Sequence, residues 1–156
     1  MSSLLALTRS QKRRTLDQGE ALLTEGDEGG ELYVLESGRL SVAREGVVIA
    51  TIDEPGALIG EMAVLLGTDN SATVRAETAV SVRVIEEPIT FLERTPLVAL
   101  QVATLVCARL DATSALLVEL KKEARGRPGE EGLLARIFAA ISGAPARPGG
   151  RAAGHE

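Results

Sequence analysis

Gly60 and the residues after it form the stretch of this sequence whose residue types best suit ligand chemistry. Glu61 and a short apolar run, residues 62–66, come directly after the glycine. The run is long enough for about one and a half turns of helix. A glycine lets the backbone approach a ligand, and the first turn of a helix leaves unpaired N–H groups that favour an anion. The sequence therefore predicts an anion site, with ordinary turn glycines as the alternative.

The stretch continues through a polar loop. Gly67 ends the predicted helix, residues 68–71 read Thr-Asp-Asn-Ser, and residues 72–76 return as a strand.

The same stretch resembles the signature of the cyclic nucleotide-binding domain family, in which Gly-Glu-x-Ala-Leu and a short loop precede Pro-Arg-x-Ala-Thr-Val. The matching segments are residues 60–65, Gly-Glu-Met-Ala-Val-Leu, and residues 71–74, Ser-Ala-Thr-Val. The resemblance implies that Glu61 accepts a hydrogen bond from the ribose 2′-hydroxyl of cAMP or cGMP. It also implies that the backbone of residues 61–63, the Ser71 hydroxyl and the Ala72 N–H surround the cyclic phosphate. The ligand residues that the resemblance implies in this stretch are Gly60, Glu61, Met62, Ala63, Asn70, Ser71, Ala72 and Thr73.

This sequence departs from the family pattern at the phosphate-binding arginine. The family's Pro-Arg pair falls on Asp69 and Asn70. A charge-assisted hydrogen bond contributes roughly 1.5–3 kcal/mol, and Asn70 offers only neutral donors. The affinity should therefore fall by roughly ten- to several-hundred-fold, from micromolar to near-millimolar. Arg75 would offset part of this loss if it faced the phosphate; the alternative is a solvated arginine on a strand.

Composition excludes several classes of function. The chain has 156 residues, enough for one domain with a proper core, and its net charge of −5 argues against a nucleic-acid surface. The single histidine is His155, next to the end of the sequence, and the single cysteine is Cys107. We therefore expect no catalytic triad, metal site or disulfide framework, and no enzyme. No apolar run approaches the roughly 18 uncharged residues of a membrane span, so we expect a cytoplasmic protein.

Short runs of alternating apolar and polar residues recur between Glu20 and Glu86, with glycine-rich turns between them. This pattern is typical of an all-β sandwich or barrel. Strands are predicted at residues 21–24, 31–36, 39–44, 47–52, 57–59, 72–76 and 80–86. The strand containing Tyr33, followed by Ser37 and Gly38, also resembles the family and implies an eight-stranded antiparallel, jelly-roll-like β-roll. With the helices described below, the predicted fold class is α+β.

The first 18 residues give a weaker signal. Leu4, Leu5 and Leu7 would begin a short helix, and residues 12–14, Lys-Arg-Arg, are interpreted as a solvated basic face.

After the strands the apolar period changes from two residues to about 3.6. A short helix begins at Glu87 and Pro88, and Thr95 with Pro96 forms a second start signal. No helix breaker follows until Gly126. The sequence therefore predicts a long helix over residues 96–125, about 45 Å in length.

The long helix carries two apolar seams. The first suits packing on the β-roll and contains Val98, Val102, Leu105, Ala112 and Leu116. The second alternates steps of four and three residues and predicts a homodimer, with the polar Thr113 fixing the register. The alternative is one wide stripe on a monomer. The predicted dimer residues are Ala99, Ala103, Val106, Leu110, Thr113, Leu117, Leu120 and Ala124.

Residues 108–114, Ala-Arg-Leu-Asp-Ala-Thr-Ser, are similar to the central helix of the bacterial catabolite activator family. In that family a Thr-Ser pair meets the adenine base. The resemblance implies that Thr113 contacts the base within its own subunit and that Ser114 contacts it across the dimer. The alternative is that both hydroxyls bond back to the preceding turn of the helix.

The end of the sequence divides into two segments. Residues 127–142 predict a short amphipathic helix, whose Arg136-Ile137 pair resembles the helix that opens the DNA-binding part of the activator family. Residues 143–156 are rich in glycine, alanine and proline and are expected to be disordered. With no room for a helix-turn-helix, we expect a stand-alone module whose binding domain spans residues 1–126. The apolar face that would pack back on the roll or dock to a protein partner contains Leu133, Leu134, Ile137, Phe138 and Ile141.

These features predict a regulatory module with two alternative modes of action. In the first, the protein senses a cyclic nucleotide weakly or atypically, and the ligand draws the long helix over the pocket and shifts a partner-binding surface. In the second, ligand binding has been lost and the fold serves as a protein-interaction adaptor. A transcription regulator is less favoured, because the charge is acidic. No cofactor is expected besides the nucleotide ligand.

Overall fold

The structure is a computed structural model that describes residues 4–124, 132, 133, 135–137 and 139. The chain forms two compact units, residues 1–103 and residues 104–156. The domain limits expected from the sequence, with a binding domain over residues 1–126, stay a prediction. Residues 127–131 and 141–156 of the predicted C-terminal segments, with Leu134, Phe138 and Ile141, lie outside the described residues.

Eight strands and four helices are found within residues 4–124. In chain order they are α1 (Leu4–Leu7), β1 (Lys12–Leu16), β2 (Ala21–Leu23), β3 (Leu32–Ser37), β4 (Leu40–Arg44), β5 (Val47–Ile52), β6 (Leu58–Ile59), α2 (Glu61–Leu66), β7 (Thr73–Ala76), β8 (Val80–Ile85), α3 (Pro88–Arg94) and α4 (Pro96–Glu123).

The strands form two four-stranded antiparallel sheets. The first sheet has the order β1-β8-β3-β6, and the second has the order β2-β7-β4-β5. Neither closes into a barrel. The predicted α+β class, with an eight-stranded β-roll, a short cassette helix and a long helix, is confirmed.

The core lies between the two sheets and follows from the alternation of each strand. In β8, Val80, Val82 and Val84 are buried while Ser81 and Arg83 are only half-buried, because successive side chains point to opposite faces. The other buried members of this core are Leu16, Leu22, Tyr33, Leu35, Leu40, Ile59, Val74 and Ala76. The core therefore fixes the ends of β6 and β7, between which the predicted ligand residues lie.

Strand β1 is the element that the sequence analysis did not identify as a strand. Lys12, Arg13 and Arg14 are exposed, as expected for a solvated face, but their backbone pairs with β8. Two ion pairs join β1 to other segments: Lys12 Nζ lies 2.7 Å from Glu86 Oε1, and Arg13 Nε lies 2.7 Å from Glu36 Oε2.

The predicted helix starts are confirmed at Pro88 and Pro96. Val98 and Val102 of the first seam of α4 are buried, whereas Ala112 and Leu116 are exposed. Leu117 is buried in contact with Ala124 and Ile137. The use of the second seam in a dimer stays a prediction.

Candidate functional site

The cassette helix α2 is bounded by two glycines in the left-handed conformation. Gly60 has φ 87° and ψ 2°, and Gly67 has φ 64° and ψ 37°. The Gly67 N–H donates to the carbonyl of Ala63, which ends the helix after a turn and a half. Residues with a Cβ rarely adopt this conformation, so the glycine spacing read from the sequence corresponds to a real geometrical requirement at both ends.

Gly60 also makes a close approach to β3. A Cβ on this residue would lie 2.8 Å from the Glu31 carbonyl oxygen. The Glu31 carboxylate in turn accepts a hydrogen bond from the Tyr33 hydroxyl at 2.5 Å. Burial and this hydrogen bond raise the pKa of Tyr33 well above its ordinary value. The start of the cassette is therefore anchored to the first sheet.

The predicted ligand residues differ in their exposure. Glu61 is 8% exposed and Ala63 is also buried, whereas Met62 is 52% exposed and points to solvent. The three residues after the polar loop, Ser71, Ala72 and Thr73, are half-buried. The cassette thus brings the two backbone segments of the predicted site into one short region between β6 and β7.

Asn70 is buried, and its side chain is directed into the protein. Its Nδ2 donates to the Thr24 carbonyl at 3.4 Å. Thr73 is similarly engaged, because its hydroxyl accepts the Glu25 N–H at 3.0 Å. Both contacts belong to the loop between β2 and β3, residues 24–31, which the sequence analysis did not identify as part of the site. The only sequence signal for it was the closely spaced glycines at positions 26, 29 and 30.

A cleft of about 510 Å³ lies beside the far end of α2. Ala63 is its one lining residue from the predicted ligand set. Glu28, Asp69 and Glu87 bring three carboxylates to its walls, which disfavours a phosphate. This cleft is therefore distinct from the predicted nucleotide pocket.

Arg75 does not replace the missing arginine. Its side chain is exposed, and its Nη1 donates to the Gly19 carbonyl at 2.7 Å. This contact attaches β7 to the loop before β2, as expected for an arginine on the solvated side of a strand.

Thr113 and Ser114 lie on α4 within the second unit. The Thr113 hydroxyl donates to the Arg109 carbonyl at 2.8 Å, which is the bond to the preceding turn that was the alternative to a ligand role. Thr113 is exposed and Ser114 is half-buried. Their contact with a base stays a prediction. Among the residues described, no group of histidine, cysteine, aspartate and glutamate side chains has the geometry of a metal site.

Comparison with known proteins identifies the family to which this cassette belongs. Residues 13–89 match the cyclic nucleotide-binding domain. The structure of the Thermus thermophilus catabolite activator protein is 28% identical with a TM-score of 0.67, covering 90% of this chain and 76% of that one. The N-terminal domain of a transcriptional regulator from Streptomyces coelicolor A3(2) is 30% identical with a TM-score of 0.53, covering 69% of this chain and 81% of that one.

A further relative is the cAMP-dependent protein kinase regulatory subunit of Yarrowia lipolytica. It is 34% identical over 71 residues, which are 46% of this chain and 19% of the kinase subunit. This chain therefore spans about a fifth of that relative's length. Taken with the fold and the cassette, these matches show that the chain belongs to the cyclic nucleotide-binding domain family, whose members are regulatory domains.

Proposed function

We propose that this protein is a cytoplasmic regulatory module that senses a cyclic nucleotide, cAMP or cGMP, weakly or atypically and signals to a protein partner. The observation that carries the proposal is the buried Glu61 at the start of a glycine-bounded cassette helix. A carboxylate in this position suits a ribose hydroxyl, since an ionised carboxylate is a strong acceptor. No reaction is proposed, and the module acts through binding.

The weakness of the proposed binding follows from the residues around the phosphate. No lysine or arginine lies between Arg44 and Arg75 in the sequence, and Arg75 is engaged with Gly19. The donors proposed for the phosphate are therefore neutral: backbone N–H groups and the Ser71 hydroxyl. Losing one charge-assisted bidentate contact weakens binding by roughly ten- to several-hundred-fold, which for a site of about 1 µM affinity predicts a Kd of about 10–500 µM.

The proposed partners are a second copy of the chain, through α4, and a protein that binds near Leu133. Leu110 and Leu120 of α4 are 47% and 51% exposed, and Leu133 is 56% exposed. By length and composition α4 would also suit a membrane span, and within the described residues it is the one helix of this kind. Arg109 and Asp111 lie near its centre, however, where each charge costs roughly 2.5–3.5 kcal/mol in a bilayer. A helix–helix interface is therefore the interpretation that we propose.

Isothermal titration calorimetry with cAMP and cGMP tests the proposed function. The wild type is expected to bind with a Kd of about 10–500 µM, and Glu61→Ala to bind at least about tenfold more weakly because the ribose acceptor is gone. Leu66→Ala is the matched control, since this residue of α2 lies outside the predicted ligand set and is 67% exposed, so that the affinity should be unchanged. A thermal melt of each variant separates loss of binding from loss of fold.

The second candidate function is an adaptor that has lost its ligand. It is favoured by the burial of Asn70, whose amide bonds to Thr24 and leaves the family's arginine position without a charge. In this case wild type, Glu61→Ala and Leu66→Ala would all give no heat of binding with either nucleotide up to several times the expected Kd.

A further inference from the structure

Asn70 lies at the centre of a set of hydrogen bonds between the cassette and the loop of residues 24–31. Its N–H donates to the Asp27 carbonyl at 2.9 Å, and its carbonyl accepts the Gly26 N–H at 2.9 Å. Its side-chain Nδ2 adds the bond to the Thr24 carbonyl at 3.4 Å. One residue therefore pairs with three residues of a loop that is more than 40 positions earlier in the sequence.

The Asn70 side chain packs against the loop backbone at Gly29. Asn70 is 7% exposed. A Cβ added to Gly29 would lie 3.0 Å from Asn70 Oδ1 and 2.6 Å from the Cβ of Ala63, a residue of α2. The loop backbone at Gly29 thus packs directly on the cassette helix and on the Asn70 side chain.

We propose that Asn70 is a positioning residue, which clamps the loop of residues 24–31 onto the cassette. The side-chain amide of Asn70 is thereby turned away from any bound ligand. The consequence for binding rests on the proposed function: an anion in this site is held by neutral donors alone. The consequence for the loop does not depend on a ligand.

The proposal explains why an arginine would be incompatible with this loop conformation. A guanidinium carries its charge on a long side chain that must reach solvent or an anion to be solvated. To do so from position 70 it would have to displace the loop at Gly29 or leave the Thr24 carbonyl without this donor. An Asn70→Arg protein can therefore gain a phosphate contact only by releasing the clamp.

Hydrogen exchange measured by mass spectrometry on the full-length protein, without ligand, tests the clamp. Asn70→Ala and Asn70→Asp both remove the Nδ2 bond to Thr24 and keep the two backbone bonds of residue 70, so each should speed exchange in residues 24–31 by about two- to tenfold. The aspartate keeps the shape of the side chain but lacks the donor. Exchange in β8, at the centre of the core, should be unchanged, which separates local release from general destabilisation. The exposed neighbouring variant Asp69→Ala is the control and should leave the loop protected.

Asn70→Arg provides the second arm of the test. We expect its loop to exchange as fast as that of Asn70→Ala, and any gain in cAMP affinity to weaken as salt is raised from about 50 to 500 mM, because an added ion pair is screened. The proposal is overturned if Asn70→Ala leaves exchange in the loop unchanged, or if Asn70→Arg binds cAMP at least about tenfold tighter while the loop stays protected. Absence of any wild-type binding would count against the proposed function alone, since the exchange measurement still decides the role of Asn70.

Discussion

Glu36 is a half-buried carboxylate that joins three neighbouring strands of the first sheet. Glu36 belongs to β3. Its Oε2 lies 2.7 Å from Arg13 Nε of β1, and its Oε1 lies 2.6 Å from Arg83 Nε of β8. The Ser81 hydroxyl of β8 donates to it at 2.6 Å. Burial by itself raises the pKa of Glu36, but the hydrogen bonds from Ser81 and Arg13 and the charge of Arg83 outweigh it and lower the pKa below the usual 4.5.

This arrangement predicts a pH-dependent contribution to stability. Because the pKa of Glu36 is lower in the folded than in the unfolded state, its contribution is present above the unfolded value and is lost as the pH falls through the folded value. Glu36→Gln should lower the melting temperature most above about pH 5, and the difference from wild type should shrink towards pH 3. Thermal melts followed by circular dichroism across this range measure it.

Glu77→Gln is the matched control for Glu36. Glu77 also pairs with an arginine, at 2.7 Å from Arg39 Nε, but both side chains are well exposed. Exposed ion pairs contribute at most about 1 kcal/mol, so this variant should follow the wild-type pH profile. An equal effect of the two substitutions would show that the Glu36 pairs are no stronger than surface contacts.

Individual residues of the site were predictable from the sequence only where the backbone conformation restricts the residue type that the position accepts. Gly60 and Gly67 belong to this group, because a left-handed backbone favours glycine whatever surrounds it. The burial of Asn70 could not be predicted, since its partner Thr24 is 46 positions away and no local rule connects the two. Contacts between distant segments follow from the fold, and the sequence shows them only through resemblance.

At the scale of the element, alanine substitutions of the two glycines that bound α2 are predicted to destabilise the protein by different amounts. Gly60→Ala places a Cβ 2.8 Å from the Glu31 carbonyl, in a left-handed backbone that costs an L-residue about 1–2 kcal/mol. Gly67→Ala meets the same conformational penalty but has nothing within 4 Å of the new Cβ. Chemical denaturation should therefore show Gly60→Ala to be the more destabilising by about 1 kcal/mol or more. Equal losses would mean that β3 moves aside at little cost.

Elements were predictable where their apolar pattern was regular. The seven strands expected between residues 21 and 86 alternate clearly and all are found, to within two residues at their ends. Strand β1 was missed because Lys12, Arg13 and Arg14 form an uninterrupted charged run without alternating apolar residues. Only its backbone pairing with β8 identifies this segment as a strand. The long helix was predictable from the lack of breakers. The contact of Leu117 with Ile137 was not, because Ile137 belongs to a later segment of the chain.

At the scale of the whole molecule, two of the exposed apolar surfaces among the described residues are candidates for an interface. One is the face of α4 with Val106, Leu110 and Leu120, which are 36–51% exposed. The other is β5, where Val47, Val48 and Ile49 are each at least 60% exposed. Strand β5 ends the second sheet, so its outer edge lacks a paired strand in the part of the chain described. Exposed apolar surface of this kind is typical of interfaces.

Paired substitutions decide which of these surfaces forms the proposed homodimer. Leu110→Asp puts a charge in the middle of the α4 face, where it would be buried in a helix–helix interface, so the protein should sediment as a monomer at concentrations where the wild type is a dimer. Val48→Asp changes a residue of similar size that is 62% exposed on β5, and should leave the dimer intact. Sedimentation velocity over a range of concentrations measures both. Dissociation by Val48→Asp alone would assign the interface to the sheet edge, and a monomeric wild type would leave the α4 face to a different partner.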